Sequence, residues 1–599
     1  MLRKGTVALI NPNQIHPPIA PYALDVLTTA LEASGFEAHV LDLTFHLDDW
    51  RQTLRDYFRA ERPLLVGVTC RNTDTVYALE QRPFVDGYKA VIDEVRRLTA
   101  APVVAGGVGF STMPFALVDY FGIEYGVKGP GEKIICDLAR ALAEGRSADR
   151  IHIPGLLVNR GPGNVTRVAP PALDPRAAPA PSSSPSPSPA PSSSSAPVPV
   201  PLSFAAVGHH ESRAWQAETE LPYTRRSGEP YKVDNLRYYR EGGLGSILTK
   251  NGCVYKCSFC VEPDAKGTQF ARRGITAVVD EMEALTAQGI HDLHTTDSEF
   301  NLSIAHSKNL LREIVRRRDH DATSPLRDLR LWVYCQPSPF DEEFAELLAA
   351  AGCAGVNIGA DHTRPEMLDG WKVTAKGTRY YDFADTERLV QLCHRNGMLT
   401  MVEALFGMPG ETLETMRDCV DRMMELDATV TGFSLGLRLL PYMGLAKSLA
   451  EQCDGVRTVR GLQSNNASGP IVLKQLHQCD GPIEYERQFM FDESGDFRLV
   501  CYFSPDLPEA PGTADSPDGI WRASVDFLWD RIPKSEQYRV MLPTLSGSSE
   551  NDNNYADNPF LTSLNRKGYT GAFWAHWRDR EAIMSGATLP LGELAEAVR

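Results

Sequence analysis

Three cysteines at short, regular spacing are the residues in this sequence best suited to chemistry. Cys253, Cys257 and Cys260 form a CxxxCxxC pattern within the segment GCVYKCSFC. Three thiolates can hold a cubane iron–sulfur cluster and leave one iron open to another ligand. A structural zinc site would need a fourth ligand, and no second CxxC pair or HxxxH pattern occurs at zinc-finger spacing. The spacing therefore predicts a [4Fe-4S] cluster.

The elements around these cysteines predict a barrel that would position them. Six β-branched runs between Gly245 and about Met443 alternate with amphipathic segments, which is typical of a partial (β/α)6 TIM-like barrel. The runs are SILTKNG, HDLHTTD, LRLWVYC, GVNIGA, LTMVEALFG and VTGFSLGLRLL. The cysteines follow the first run, and chemistry in such barrels lies at the carboxyl ends of the strands.

A second alternation of strands and helices runs from Gly5 to about Arg160 and predicts a doubly wound parallel sheet. Ligands in that architecture bind at the carboxyl ends of the strands. The candidate binding residues at these ends are Asn11, Arg71, Gly106, Gly107, Gly109, Gly129, Gly131 and Glu132.

A segment of Pro, Ser and Ala separates the two alternating regions and sets the domain boundaries. Its composition cannot bury enough apolar surface to order itself, so we interpret 169–204 as a disordered linker. The predicted domains are therefore 1–168 for the doubly wound domain and 205–445 for the barrel. The region 446–599 has weak periodicity, and we interpret it as an α+β cap over the barrel mouth.

Composition narrows the classes of function. The formal net charge of −16 argues against a nucleic-acid partner, because affinity for phosphates needs clustered Lys and Arg. The N-terminal segment MLRKGTVALINPN contains no long apolar run, so we expect neither a signal peptide nor a membrane span. The remaining cysteines lack ligand spacing and are typical of core residues in a reduced, cytoplasmic protein.

In this strand context the cysteine motif resembles the radical S-adenosylmethionine (SAM) superfamily. The resemblance implies that SAM binds the open iron, with Phe259 against its adenine. Gly407 and Gly410, in the segment GMPGET, would contact the adenosyl group. The segment TTDSEFN at 295–301 matches the second-strand motif, where Glu299 would either bind the methionine amine or ligate the open iron itself. A surface acid in a loop is the alternative for Glu299.

The glycine-rich segments GGVGFS at 106–111 and GVKGPGE at 126–132 resemble cobalamin-binding domains of this class. A nucleotide-binding Rossmann domain would carry GxGxxG after its first strand, and that motif is absent. The DxHxxG signature, which supplies a histidine to the lower face of cobalt, is also missing. Arg71 is our candidate for that face, where a fixed cation could block a ligand, although an ordinary surface arginine is an equal alternative.

The order of the domains resembles the cobalamin-dependent radical SAM methyltransferases. Within them it resembles the enzymes that methylate C2 of the L-tryptophan indole in thiopeptide antibiotic biosynthesis. The resemblance implies methylcobalamin as the methyl donor, SAM as the methyl source, and an external electron donor that reduces cobalamin. Tyr334, in LWVYCQP, could then take the C2 proton or polarise the indole N–H, although a core tyrosine is equally compatible.

Two other functions stay open. A radical methylase would use a 5′-deoxyadenosyl radical on an unactivated carbon of another natural product, and Glu299 would then only hold the amine of SAM. A non-catalytic cobalamin carrier or sensor would have no use for the three cysteines. A methylthiotransferase acting on transfer RNA is disfavoured by the acidic charge balance and by the lack of a basic C-terminal module.

Overall fold

The computed structural model describes residues 5–13, 18–74, 83–168, 230–372, 378–465, 470–509, 519–533 and 537–541. The predicted linker, 169–204, lies outside the described residues, as does the part of the predicted cap that follows residue 541. The boundaries of the linker and of the cap therefore stay predictions.

The N-terminal region forms a sheet with the strand order β2-β1-β3-β4-β5-β6-β7. Its strands are β1 (Thr6–Asn11), β2 (Glu37–Asp42), β3 (Leu65–Thr69), β4 (Val103–Gly106), β5 (Tyr125–Val127), β6 (Leu156–Asn159) and β7 (Val165–Arg167). Its helices are α1 (Tyr22–Ala33), α2 (Trp50–Ala60), α3 (Val85–Leu98), α4 (Val108–Thr112), α5 (Pro114–Phe121) and α6 (Glu132–Ala143). Strands β1 to β5 pair in parallel, whereas β6 and β7 pair antiparallel.

Both faces of this sheet are covered, which explains its apolar strands. Val7 and Leu9 of β1 pack into one core, and Ala8 and Ile10 pack into the core on the opposite face. Parallel strands buried on both faces have continuous apolar sequences of this kind. The predicted doubly wound sheet is thus confirmed, and β6 and β7 add an antiparallel edge that we had not predicted.

Helix α7 (Asn235–Arg240) lies outside the barrel and is fastened to the N-terminal sheet. The hydroxyl of Tyr238 donates to the Asp42 carboxylate at 2.8 Å, and the Asn11 amide donates to that hydroxyl at 2.9 Å. The chain therefore returns to the first domain before it enters the barrel.

The barrel region confirms the six predicted strand–helix units. Its strands are β8 (Gly245–Ile247), β9 (Lys250–Asn251), β10 (Ala271–Arg272), β11 (Asp292–Thr295), β12 (Arg330–Cys335), β13 (Cys353–Asp361), β14 (Leu399–Phe406) and β15 (Val430–Leu435). Its helices are α8 (Glu262–Lys266), α9 (Ile275–Ala287), α10 (Ile304–His320), α11 (Glu342–Ala350), α12 (Pro365–Trp371), α13 (Phe383–Arg395) and α14 (Leu413–Glu425). All pairs between β8 and β15 within the barrel sheet are parallel, while β9 and β10 form a separate antiparallel pair.

The described residues after the barrel strands pack on both domains. They form β16 (Leu437–Arg438), β17 (Leu462–Ser464), β18 (Val500–Tyr502), β19 (Tyr538–Met541), α15 (Gly444–Cys453), α16 (Pro482–Arg487) and α17 (Gly519–Arg531). Strand β19 extends the barrel sheet by pairing in parallel with β15, and helix α16 packs against α5 of the N-terminal domain. In the part of the chain that the structure describes, no helix is long and apolar enough to cross a membrane.

Candidate active site

A cavity of about 810 Å³ lies between the N-terminal sheet and the barrel. The predicted site residues that line it are Asn11, Arg71, Gly106, Gly107, Gly129, Gly131, Glu132 and Tyr334. The predicted residues outside this lining are Cys253, Cys257, Cys260, Phe259, Glu299, Gly109, Gly407 and Gly410. Strand ends that lie far apart in the sequence therefore share one cavity, as the two α/β architectures require.

The loop after β3 carries Arg71 to the cavity and is held there by backbone contacts. The backbone N–H of Gly109 donates to the Arg71 carbonyl at 2.8 Å. A Cβ on Gly109 would lie only 2.8 Å from the backbone of Asn72. Gly109 is therefore needed because the Arg71 loop packs directly against its backbone. This reason for the glycine is a contact within the protein and not a contact with a cofactor.

The Arg71 guanidinium is a cation without a described carboxylate partner. Burial lowers its pKa from the usual range, and the ionisable groups that act on it are Tyr88 and Tyr334. Its side-chain contact is a long one, 3.5 Å to the amide oxygen of Asn72. A fixed guanidinium on the cavity wall fits the predicted role beneath a cobalamin, because guanidinium has no lone pair to give to cobalt.

Asn11 lines the cavity, but its side chain is engaged within the protein. Its amide nitrogen donates to the Asp42 carboxylate, to the Thr44 hydroxyl and to the Tyr238 hydroxyl at 2.9–3.0 Å. Its amide oxygen accepts from the backbone of Asn13. The Asn11 side chain therefore also anchors helix α7 to the N-terminal sheet.

Tyr334 projects from β12 into the cavity. Its side chain is 40% exposed, whereas its neighbours Val333 and Cys335 are buried. Its ring centroid lies 4.7 Å from that of His294, another cavity residue, which we had not predicted. A tyrosine on a cavity wall can place its hydroxyl against a ligand while its ring packs against a neighbour.

His294 is a neutral imidazole with a defined tautomer. Its Nδ1 lies 2.7 Å from the Thr295 carbonyl, and a carbonyl can only accept, so Nδ1 carries the proton. Burial lowers the pKa of His294 to about 4. The available signal was its position in HDLHTTD at the end of the second barrel strand.

The cysteine loop follows the β9 strand and is held by backbone contacts. Gly252 has φ of 92°, and a Cβ there would clash with the Gln269 carbonyl. The Cys253 N–H donates to the Gly267 carbonyl at 2.8 Å, and the N–H of Ser258 donates to the Trp371 carbonyl at 2.8 Å. The backbone of the loop is therefore preorganised. Phe259, between the second and third cysteines, packs against a hydrophobic cluster shared with the N-terminal domain.

Glu299 lies in electrostatic reach of these thiols with one oxygen unsatisfied. Burial raises the pKa of Cys253 to about 11 and that of Cys257 to about 12, and Glu299 contributes to both shifts. Oε1 of Glu299 accepts from the Gln336 amide, while Oε2 is buried without a hydrogen-bond partner. A buried carboxylate oxygen that lacks a partner is costly, and a ligated iron would satisfy it.

Three thiols and a carboxylate oxygen without a hydrogen-bond partner are the donors at this site. Three thiolates can ligate three irons of a cubane cluster and leave one iron for another ligand. These donor types fit the predicted [4Fe-4S] site. Across the described residues, no group of three or more His, Cys, Asp or Glu side chains is arranged to hold a single metal ion.

The segment GMPGET connects β14 to α14. Gly407 and Gly410 both adopt left-handed φ, of 101° and 85°. Thr412 then caps the helix, because its hydroxyl accepts from the Thr415 N–H at 3.2 Å. The glycines thus shape a turn at the carboxyl end of a barrel strand, and their contact with the adenosyl group stays a prediction.

Comparison with known proteins gives matches for both domains. The B12 binding domain family matches residues 5–139, and the radical SAM superfamily matches residues 247–423. The ribosomal protein uS12 methylthiotransferase RimO of Ruegeria pomeroyi is 30% identical over 189 residues, which are 30% of this chain and 40% of that protein. This chain therefore matches less than half the length of that curated relative.

Two solved structures of TsrM, a radical SAM methyltransferase from Kitasatospora setae, match over almost the whole chain at 63% identity. The one with tryptophan substrate and a SAM analogue bound covers 97% of this chain and 99% of its own, with a TM-score of 0.84. The one with cobalamin and a [4Fe-4S] cluster bound covers 99% of each chain, with a TM-score of 0.85.

A B12-binding domain joined to a radical SAM barrel defines the class of cobalamin-dependent radical SAM enzymes. Within that class, the chain belongs to the radical SAM methyltransferase family of TsrM.

Proposed function

We propose that this protein methylates C2 of the L-tryptophan indole, with cobalamin and SAM as cofactors, in the biosynthesis of a thiopeptide antibiotic. The observation that carries the proposal is the 63% identity, over 97% of the chain, with a TsrM structure that holds tryptophan and a SAM analogue. The cavity between the two domains supports it, because a methyl group must pass between groups held by different domains.

The chain's own residues would hold the cofactors as follows. Cys253, Cys257 and Cys260 would ligate three irons of the cluster, and Glu299 would ligate the fourth through the oxygen that lacks a partner. Cobalamin, when bound in the cavity, would supply a carrier for the methyl group between SAM and the substrate carbon. Arg71 would keep other ligands away from one face of that carrier.

Tyr334 and His294 would orient the substrate. An indole N–H is a donor, and the hydroxyl oxygen of Tyr334 is an acceptor on the cavity wall. The neutral His294 ring packs against Tyr334 and restricts its orientation. An N–H held by an acceptor makes the indole ring more electron-rich, which favours attack by C2 on an electrophilic methyl group.

The arrangement supports a polar transfer over a radical one. The indole ring is itself nucleophilic, so transfer to C2 requires no deoxyadenosyl radical. If Glu299 occupies the open iron, the amine and carboxylate of SAM are kept off that iron. The radical methylase alternative instead requires Glu299 to bind the SAM amine and leave the iron free.

An anaerobic assay of reconstituted full-length protein tests the proposal. It would contain cobalamin, methyl-labelled SAM, L-tryptophan and an external reductant, and mass spectrometry would follow both products. We expect labelled 2-methyltryptophan with S-adenosylhomocysteine and no 5′-deoxyadenosine. We also expect slower turnover in Tyr334→Phe, with Tyr120→Phe on the surface of α5 as the matched control.

Two opposite results would contradict the proposal. Formation of 5′-deoxyadenosine without methyltryptophan would favour a radical methylase with another substrate. Tight cobalamin binding with no methyl transfer to any indole would favour a carrier or sensor. The same assay therefore separates the three functions.

We further propose that an external electron donor serves the enzyme in the cytoplasm. A cobalamin that is accidentally oxidised must be reduced again before it can accept a methyl group, and this requires an outside source of electrons. All twelve cysteines are free thiols, which fits a reducing compartment. When cobalamin is supplied in an oxidised form, omission of the reductant should prevent turnover.

A further inference from the structure

A buried lysine lies beside the predicted cluster site. Lys372 directly follows α12, and its side chain is only 3% exposed. It forms an ion pair with Asp361, at the end of β13, and donates to the Gly359 carbonyl at 3.3 Å. Removing an ammonium group from water is costly unless it is paired and hydrogen-bonded. The buried ammonium of Lys372 is therefore expected to have a role at the predicted cluster site.

The surroundings of Gly359 show that Lys372 and Glu299 share one small region. A Cβ built on Gly359 would lie 3.9 Å from the Lys372 ammonium and 3.9 Å from the Gln336 amide nitrogen. That amide nitrogen donates to Oε1 of Glu299. The ammonium thus lies one side chain away from the carboxylate that we propose as an iron ligand.

The backbone also places Lys372 beside the cysteine loop. The N–H of Ser258, which lies between Cys257 and Cys260, donates to the carbonyl of Trp371 at 2.8 Å. Trp371 is the residue before Lys372. The Lys372 ammonium is therefore held near both the cysteine loop and Glu299.

The local backbone keeps the ammonium from moving away. The pairing of β13 with β14 shifts register between Gly359 and Asp361, and Asp361 has a left-handed φ of 55°. Such irregularities redirect a side chain at functional sites. The Tyr381 hydroxyl lies 3.1 Å from the Asp361 carboxylate, and its ring centroid lies 5.0 Å from the Lys372 ammonium.

We propose that Lys372 is a positioning residue whose fixed charge sets the reduction potential of the iron–sulfur cluster. The inference rests on the cluster site proposed above. Three thiolates and a carboxylate would give the cluster four anionic ligands, and each negative charge makes the addition of an electron harder. A cation held nearby in a poorly polarisable interior makes that addition easier.

A redox titration of reconstituted full-length protein tests this role without reference to turnover. Iron and sulfide contents would be measured first, and the midpoint potential would then be followed by absorbance and electron paramagnetic resonance. We expect Lys372→Met to keep its iron but to have a more negative midpoint potential. Lys372→Arg should stay near the wild-type value, because it retains the charge.

Two further variants make the titration decisive. Lys308→Met removes a lysine on α10 that pairs with Asp341, and it should leave the potential unchanged. Lys372→Met alone leaves the Asp361 carboxylate unpaired, so it could fail to fold. The double variant Asp361→Asn/Lys372→Met removes both charges. It should lower the potential less than the single change, because loss of the negative charge of Asp361 offsets part of the loss of the ammonium.

Different results would contradict the role of Lys372 and the proposed cluster site. An unchanged potential in an iron-replete Lys372→Met or double variant would overturn the role of Lys372. Absence of iron from wild-type protein would instead overturn the cluster site itself.

Discussion

The cobalamin side and the cluster side of this site are built by different means. On the N-terminal domain the backbone shapes the cavity wall, and Arg71 is a cation without a described carboxylate partner. On the barrel, buried and half-buried side chains make up the proposed cluster site: three thiols, Glu299 and the Lys372–Asp361 pair. Binding of a cofactor that fits a cavity depends on how the loops of the cavity wall pack. Binding of a cluster depends instead on the side-chain atoms that ligate its irons. Substitutions on the cluster side should therefore reduce iron content, and substitutions on the cobalamin side should weaken cobalamin binding.

The largest effect should come from the cluster side. Cys257→Ala removes one proposed iron ligand, and we expect iron content to fall and methylation to drop more than about 100-fold. Cobalamin binding should persist, because the cavity on the N-terminal domain is untouched. The matched control is Cys136→Ala, a buried cysteine of α6 with no metal role, which should retain iron and activity. Full methylation activity in Cys257→Ala would show that the cluster side is not needed for the reaction and would remove the distinction between the two sides.

The next effect should come from the cobalamin side. Arg438 pairs with Asp74 at 3.4 Å and donates to the Phe489 carbonyl, so it anchors the loop that begins at Arg71. Arg438→Met leaves a buried carboxylate unpaired, and the free energy of unfolding should fall by about 3–5 kcal/mol. Cobalamin affinity should weaken while iron content stays constant, as measured by urea unfolding, equilibrium dialysis and iron analysis.

The double variant Asp74→Asn/Arg438→Met controls for the unpaired carboxylate. It should recover part of the lost stability, because no uncompensated charge remains. Iron loss in either variant, with cobalamin affinity intact, would show that the two sides are not independent.

The smallest effect is a pH dependence at the contact between α16 and α5. The Glu486 carboxylate accepts from the Tyr442 hydroxyl at 2.6 Å and from the Ala116 N–H at 2.8 Å. Burial raises the pKa of Glu486 from 4.5 to about 8. Between these values the folded protein keeps a proton that the unfolded chain releases, so the free energy of unfolding falls as pH rises.

Glu486→Gln carries no such proton and should lack this part of the pH dependence. Relative to wild type it should gain about 1–2 kcal/mol between about pH 6.5 and pH 8. Urea unfolding at several pH values measures the difference. Parallel pH profiles for the two proteins would show that Glu486 does not keep its proton in the folded state.

Sequence patterns were sufficient for the main architecture but not for its edges. The six barrel strands and the N-terminal sheet were predictable because strands buried on both faces are apolar and alternate with amphipathic helices. Strand β7 has only three residues and β19 has four, and such short segments carry too little periodicity to be recognised. Their pairing depends on tertiary contacts.

Some residues of the candidate site could likewise be predicted from the sequence, and others could not. Cys257, Glu299 and Tyr334 could be proposed as site residues because each lies at or after the end of a predicted strand. Lys372 and His294 were not, because their importance arises from burial and from neighbours distant in sequence. A lysine after a helix gives no sign that it will be buried opposite a cysteine loop more than a hundred residues earlier.

The pairing of β19 with β15 has a consequence for the order in which the barrel can form. Thr431 of β15 lies opposite Tyr538 of β19. During synthesis the ribosome must add more than a hundred residues after β15 before its outer edge finds this partner. Until then the outer edge of β15 has no strand partner and is open to contacts with other chains. Nascent chains truncated before residue 538 should therefore aggregate more readily than chains that extend past residue 541.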